Sequence, residues 1–416
     1  MKIISSIALD GRSAGSWYAI ETARRLAARG HQVLFLSRPS GKTIEAAREA
    51  GLRVVEGLDL EEKAPAKIYR NLRRVIGLIG EFGPDAVLAH WGEDHTMWGL
   101  AKAMRAPKLA LIRVRALDPK PPKRHPLSIW LHRRATDMVV TVNTRLYSAY
   151  QSRLRIPPEK LQIIEAGIDE AVWAGGQSGR SGPSGPSGLS GHSGRGALEE
   201  FGVPAEKPVV VLLARFSPVK GHRVFLSAMT RIRRQHPGAH FLWLGYPSQY
   251  DAAMFKRWFV EGNLLESVTV VDRFIPNVHD VLRECTLGVV SSIGSESVSR
   301  SLLEYFACGL PAVATDVGGV ADLMGRGDFG IMVRPDDPAA LAEAVIALLD
   351  EPKRAGWRGA AARDYVREHC GWEKRIDAWE ELLYRVVSRV RGEDIPRMNA
   401  GEPPECEGTV REMLDV

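Results

Sequence analysis

The chain has 416 residues, of which 45% are hydrophobic and 25% charged, the balance of a soluble globular protein long enough for two domains. No stretch approaches the roughly 20 apolar residues of a membrane-spanning helix, and the apolar run after Met1 is too short for a signal peptide. Cys285, Cys308, Cys370 and Cys406 form no CxxC or ligand-like cluster, which argues against a disulfide scaffold or zinc site and for a reduced, cytoplasmic setting.

In chain order, Lys2–Leu9 reads as a strand and Gly11–Ser16 as a glycine-containing loop. A helix Trp17–Arg29 with apolar Ala19, Ile20, Ala23, Leu26 and Ala27 follows, stopped by Gly30. Further strands are expected at Gln32–Ser37, Ala86–His90, Leu109–Val114, Met138–Val142 and Leu161–Glu165. Residues 174–196 are built from Gly, Ser and Pro and cannot repay chain entropy, so they read as a flexible insertion. The second half repeats the grammar, with strands at Val209–Ala214, His240–Leu244, Val268–Val271, Leu287–Ser291, Ala312–Thr315 and Ile331–Val333. A helix Pro338–Leu349 and a helical stretch 353–390 close it, and the tail after Gly392 reads as disordered. Strands alternating with amphipathic helices predict an α/β protein with parallel sheets covered by helices.

Charge is uneven. Residues 1–173 hold 28 Lys+Arg against 18 Asp+Glu, although the whole chain is only +6. The excess peaks at 98–135, where Lys102, Arg105, Lys108, Arg113, Arg115, Lys120, Lys123, Arg124, Arg133 and Arg134 face a single acid, Asp118. Such a field suits an anionic partner such as a phosphorylated lipid, a membrane surface or nucleic acid; a solvated face without a partner is the plain alternative.

Two motifs carry chemistry. Val209–Ala214 leads into Arg215-Phe216-Ser217-Pro218-Val219-Lys220-Gly221, a strand, a basic loop and a helix start. Two cations around a turn at the end of a parallel strand suit a pyrophosphate. The second motif runs from Ser295 to Asp316, with Glu296 and Glu304 eight positions apart across a loop and a helix. Eight residues of helix rise span roughly 12 Å, too far to share one proton or one metal ion. They suit the two ends of an elongated ligand such as a nucleotide sugar, and the helix start near Val298–Arg300 suits an anion between them. Glu304 stands in an otherwise apolar stretch, where a charge needs a partner. Gly11–Ser16 is not GxGxxG, and no DxD, P-loop, GxSxG or HExxH occurs. His90 and His95 follow a strand, yet too few ligands converge there for a metal.

These segments resemble a family 4 glycosyltransferase of the GT-B fold. The resemblance rests on Ala214–Gly221, on Gly294–Asp316 with its Glu-x7-Glu spacing, on Val317-Gly318-Gly319 and on Gly330–Pro338. Ile164-Glu165-Ala166-Gly167-Ile168-Asp169 is similar to the family's hinge, with Ala166 at the asparagine position. The resemblance implies two Rossmann-like domains facing an interdomain cleft. They would be an acceptor-side domain at 1–173 and a donor-binding domain at 197–370, with a helix at 371–391 crossing back to the first and a tail at 392–416. It implies retaining transfer from a UDP-, GDP- or ADP-linked sugar to a glycan or lipid-linked acceptor, with no metal and no further cofactor, in envelope polysaccharide or lipopolysaccharide biosynthesis.

Carried over, Arg215 and Lys220 bind the diphosphate, Glu296 the transferred sugar and Glu304 the ribose. Ser297, Val298 and Ser299 offer backbone donors. The catalytic set is then Glu296, Arg215 and Lys220, with Gly15, Ser16, His90 and Arg115 contributed by the first half. Ser297 and Ser299 stand where the family often has glycine, and Ala14-Gly15 where it often has two glycines. A first-domain histidine of the family is replaced by Arg115, or its part is taken by His90 or His125. These departures keep a non-catalytic sugar-nucleotide binding protein as the alternative. A basic nucleic-acid binder is the remoter one, since no recognition motif occurs and no nucleic-acid partner is expected. The expected location is cytoplasmic, with peripheral contact on the inner face of an anionic plasma membrane.

Overall fold

The computed structural model describes the chain apart from residues 10, 12, 40, 56–63, 117–121, 170–195, 205, 295 and 394–416. The Gly/Ser/Pro-rich insertion (apart from Gly196), the tail after Glu393, Asp118 and Lys120 therefore lie outside the described residues.

Two parallel sheets organise the rest. The first has β1 (Lys2–Ser6), β2 (Gln32–Leu36), β3 (Arg53–Val55), β4 (Ala86–Ala89), β5 (Ala110–Arg115), β6 (Met138–Thr141) and β7 (Leu161–Ile163), in the order β3-β2-β1-β4-β5-β6-β7. The second has β8 (Val209–Leu213), β9 (His240–Leu244), β10 (Val268–Val271), β11 (Leu287–Val290), β12 (Ala312–Thr315) and β13 (Gly330–Val333), in the order β10-β9-β8-β11-β12-β13. Each order reverses once, between β1 and β4 and between β8 and β11. That is the doubly wound pattern whose ligands bind beyond the strand ends at the reversal.

The chain divides into two compact units: Met1–Val114 with His125–Val139 and Ala378–Val416, and Arg115–Arg124 with Val140–Asp377. In the second unit the central strands are apolar on both faces, as parallel strands covered on both sides must be. Val209, Val211, Leu242, Leu244, Ala312 and Ala314 enter one core with Tyr305 and Phe306. Val210, Leu212, Phe241, Trp243, Val289 and Val313 enter the other with Phe225, Phe255 and Leu341. At about 1.5–3 kcal/mol per buried large side chain, these two layers fix the sheet from both faces.

The first unit has the same construction. Its core gathers Ile4, Leu34, Val87 and Leu111 with Trp98 of the helix Gly92–Arg105. Residues 379–391 are tied to it. Trp379 Nε1 donates to the Tyr18 hydroxyl at 3.2 Å, Glu380 meets Arg29 at 3.1 Å and His31 at 2.9 Å, and Arg391 pairs with Asp85.

Several boundaries differ from the sequence reading. The first strand ends at Ser6, and the helix begins at Ala14 because Ser13 and Ser16 form a reciprocal cap. The edge strand β3 has no sequence signal beyond three residues, Arg53–Val55. The stretch 353–390 is two helices, Pro352–His369 and Trp372–Arg391. They break because Ile168 N–H donates to Cys370 O at 2.9 Å and Gly371 bridges Ile168. Gly167 permits this, since a Cβ there would lie 2.7 Å from Trp372 Cα.

Candidate functional site

The basic loop and the acidic loop flank the reversal of the second sheet. β8 delivers Arg215; a 3-10 turn Pro218–Lys220 and Gly221, at φ 67°, then lead into the helix His222–Gln235. β11, paired with β8, delivers residues 291–299. The loops are stitched together. Ile293 N–H donates to Val219 O at 2.9 Å and Ser291 Oγ to Lys220 O at 3.0 Å. Gly221 packs so tightly that a Cβ would sit 1.8 Å from Ser291 O.

This stitching brings Lys220 Nζ onto Glu296 Oε1, which also accepts from Ser292 Oγ. The Glu296 side chain is 6% exposed and that of Lys220 21%. A carboxylate this buried requires its cation, so the pair is a unit. Arg215 is half-buried and has no hydrogen-bond or ion-pair partner among the described residues. Glu304 lies further along the helix Arg300–Ala307 and accepts from Arg300 Nε at 2.9 Å, one turn away. The charge in that apolar stretch therefore has a partner, although not Arg215 or Lys220.

The acidic loop is held from outside. Gly319 N–H donates to Glu296 O at 2.8 Å, and Asn143 Nδ2, in the same unit, donates to Ser297 O at 2.9 Å. Gly318, at φ 58°, comes so close that a Cβ would meet Glu296 O at 2.4 Å. The Val317-Gly318-Gly319 run thus buttresses Glu296. Thr315 Oγ1 donates to Ser292 O at 2.6 Å, and Asp322 accepts from Thr144 N at 2.6 Å. No sequence motif singles out Asn143, Ser292 or Thr315. Asn143 carries only the signal of a helix cap, with Oδ1 accepting from Leu146 N at 2.8 Å. Val298 and Ser297 are buried, and Ser299 closes the loop at the helix start.

The remaining sequence-derived residues lie elsewhere. Gly15 and Ser16 sit in the first turn of the helix Ala14–Ala28, and Ser16 Oγ donates to Gly11 O at 2.9 Å. His90 follows β4 and is 4% exposed, with Nε2 3.2 Å from Ser5 Oγ. Burial, and then the nearby Arg113 guanidinium, push its pKa down to about 3. Beside it, Asp94 accepts from the N–H groups of His90 and Trp91 at 3.1 and 2.9 Å. Burial raises it to about 7 despite Arg113. Arg115 ends β5, buried, with its guanidinium 5.9 Å from the Tyr150 ring centroid. His125 is exposed and caps the helix Pro126–Trp130. Part of the basic run is structural: Lys102 pairs with Asp137, and buried Arg113 donates to Ala89 O and Trp91 O at 2.9 and 2.7 Å.

In the second sheet a cationic and a carboxylate loop flank the reversal, the place where doubly wound sheets take their ligands. Comparison with known proteins names the class. The family model "Glycosyl transferases group 1" matches residues 207–351, and "Glycosyltransferase Family 4" matches residues 15–172. The chain belongs to this glycosyltransferase family. A glycogen synthase of Mycobacterium tuberculosis is 24% identical over 411 residues, covering 90% of this chain and 91% of the relative. Among solved structures, a glycosyltransferase from Rickettsia africae superimposes with a TM-score of 0.79 at 17% identity, covering 93% of this chain and 98% of that one. Anabaena Alr3699/HepE in complex with UDP-glucose gives 0.75 at 16% identity over 92% and 99%. WaaG, a glycosyltransferase involved in lipopolysaccharide biosynthesis, gives 0.65 at 14% identity over 94% and 100%.

Proposed function

We propose that the protein transfers a sugar from a nucleoside diphosphate sugar to a hydroxyl of a glycan or lipid-linked acceptor. In this reading configuration is retained, no divalent ion takes part, and the setting is bacterial envelope polysaccharide or lipopolysaccharide assembly. Residues 197–370 act as the donor-binding domain, 1–173 as the acceptor side and 371–391 as the returning helix. The observation that carries it is the Lys220–Glu296 pair at the sheet reversal, with half-buried Arg215 leaving the adjacent strand. Lys220 and Arg215 offset the charge that develops on the leaving diphosphate, the task a metal ion performs in other transferases. Glu296 accepts hydroxyls of the transferred sugar, Glu304 those of the ribose, and residues 297–299 supply backbone donors. Gly15, Ser16, His90 and Arg115 are assigned to the first-half side of the reaction. The UDP-glucose complex of the Anabaena neighbour supports a nucleotide-sugar donor, and the role of WaaG supports the envelope setting.

The test is turnover of UDP-, GDP- and ADP-linked sugars by wild type and Lys220→Ala, with thermal midpoints measured alongside. The expected result is hydrolysis or transfer of one donor, reduced at least about 100-fold in the variant, the scale of losing one charge-stabilising donor. Equal rates would remove Lys220 from the reaction. Nucleotide affinity without turnover of any donor would favour the non-catalytic binding protein.

A further inference from the structure

Ser299 is the residue of the acidic loop whose chemistry the reading above leaves unused. It precedes the helix Arg300–Ala307 as its N-cap, yet its side chain makes no capping hydrogen bond. The residue is 3% exposed, and its hydroxyl has no hydrogen-bond partner among the described residues. A buried hydroxyl without a partner costs about 1–3 kcal/mol. The backbone adds to that cost, because Ser299 is left-handed at φ 44° and ψ 47°. Arg155, Asn263 and Asp336 also have positive φ, but all three are exposed turn residues. Ser299 is the buried one, and glycine would adopt this conformation without strain.

Its position in the chain indicates what the hydroxyl meets. Three residues before it stands Glu296 with Lys220, and five after it stands Glu304. Ser299 thus lies in the chain between the carboxylate assigned to the sugar and the one assigned to the ribose. The part of a nucleotide sugar between those two ends is its diphosphate. The backbone N–H groups at the head of the helix, turned outward by helix geometry, favour an anion at the same place.

We propose that the Ser299 hydroxyl donates a hydrogen bond to a diphosphate oxygen of the donor, and that this contact is what the strained serine serves. The inference rests on the nucleotide-sugar reading and adds a side-chain contact to its backbone donors.

The experiment compares wild type, Ser299→Ala and Ser299→Gly by calorimetric titration with UDP, GDP and ADP, and by thermal unfolding without ligand. Alanine removes the hydroxyl and keeps the strained backbone; glycine removes both. The expected result is that the best-binding diphosphate weakens about tenfold in both variants, the scale of one hydrogen bond to a charged group. The glycine variant unfolds at or above the wild-type temperature. Wild-type affinity in both variants, or a change in the glycine variant alone, overturns the hydroxyl contact while leaving the donor reading standing. If wild type binds none of the three diphosphates, the donor reading fails and this inference fails with it.

Discussion

His222 sits directly after Gly221 and is 1% exposed. Its ring stacks on Phe255 at 5.2 Å and lies edge-on to Trp243, with Nδ1 3.3 Å from Ser217 O. Burial, against the hydrogen bond to Ser217, lowers its pKa to about 4 from the ordinary 6.5. The folded chain then binds fewer protons here than the unfolded chain between those values. The contribution is whole above pH 6.5 and is lost as pH falls toward 4. His90, held down to about 3, acts in the same direction. Asp94, raised to about 7, acts oppositely and loses its contribution as pH rises from about 4 to 7. Wild-type stability is therefore expected to fall as pH drops from 6.5 to 4.5, partly offset by Asp94. The variant His222→Phe, which keeps the ring packing, should lose about 1–3 kcal/mol less over that interval. Denaturant unfolding at the two pH values checks this, and identical slopes would show that His222 is not held neutral. The sequence shows a histidine after a glycine. Its neutrality comes from aromatic neighbours contributed by separate strands and helices.

At the reversal of the second sheet one hydroxyl bridges the parting strands. β8 and β11 pair only as far as Leu212 with Val289. The Tyr305 hydroxyl then accepts from Leu213 N at 2.7 Å and lies 3.2 Å from Val289 O, standing in for the next rung as the strands part. Gly288 makes room, since a Cβ there would lie 2.3 Å from the Tyr305 ring. Tyr305→Phe leaves the Leu213 N–H unpaired at the root of the loop carrying Arg215 and Lys220. The expected cost is about 1–3 kcal/mol of unfolding free energy, read by chemical denaturation. An unchanged midpoint would mean that water or backbone shift supplies the missing partner. In sequence, Tyr305 is one more apolar residue beside Glu304. Helix spacing places it in the core but cannot show that its hydroxyl reaches between two strands.

For the molecule as a whole, the basic first half carries a face suited to an anionic surface. Leu127 and Trp130, three apart on one helix face, are 45% and 38% exposed, and Arg133 and Arg134 follow them, also exposed. An apolar pair beside cations suits the headgroup boundary of an anionic bilayer. Among the described residues, no helix is long and apolar enough to cross one. Sedimentation with phosphatidylglycerol vesicles should therefore exceed that with phosphatidylcholine, fall with salt, and weaken several-fold in Trp130→Ser. Equal binding to both lipids, or none, would leave this face as ordinary solvated surface.

What the sequence determined was the alternation of strands and helices, and the loops bearing Arg215, Lys220, Glu296 and Glu304. Apolar periodicity and residue spacing are local properties of the chain. Only the tertiary structure decided that Lys220 closes on Glu296, that Gly318, Gly319 and Asn143 hold that loop in place, and that Ser299 is strained with its hydroxyl unpaired among the described residues. The first two depend on segments distant in sequence being brought into direct contact, and the third on burial that no local pattern reveals.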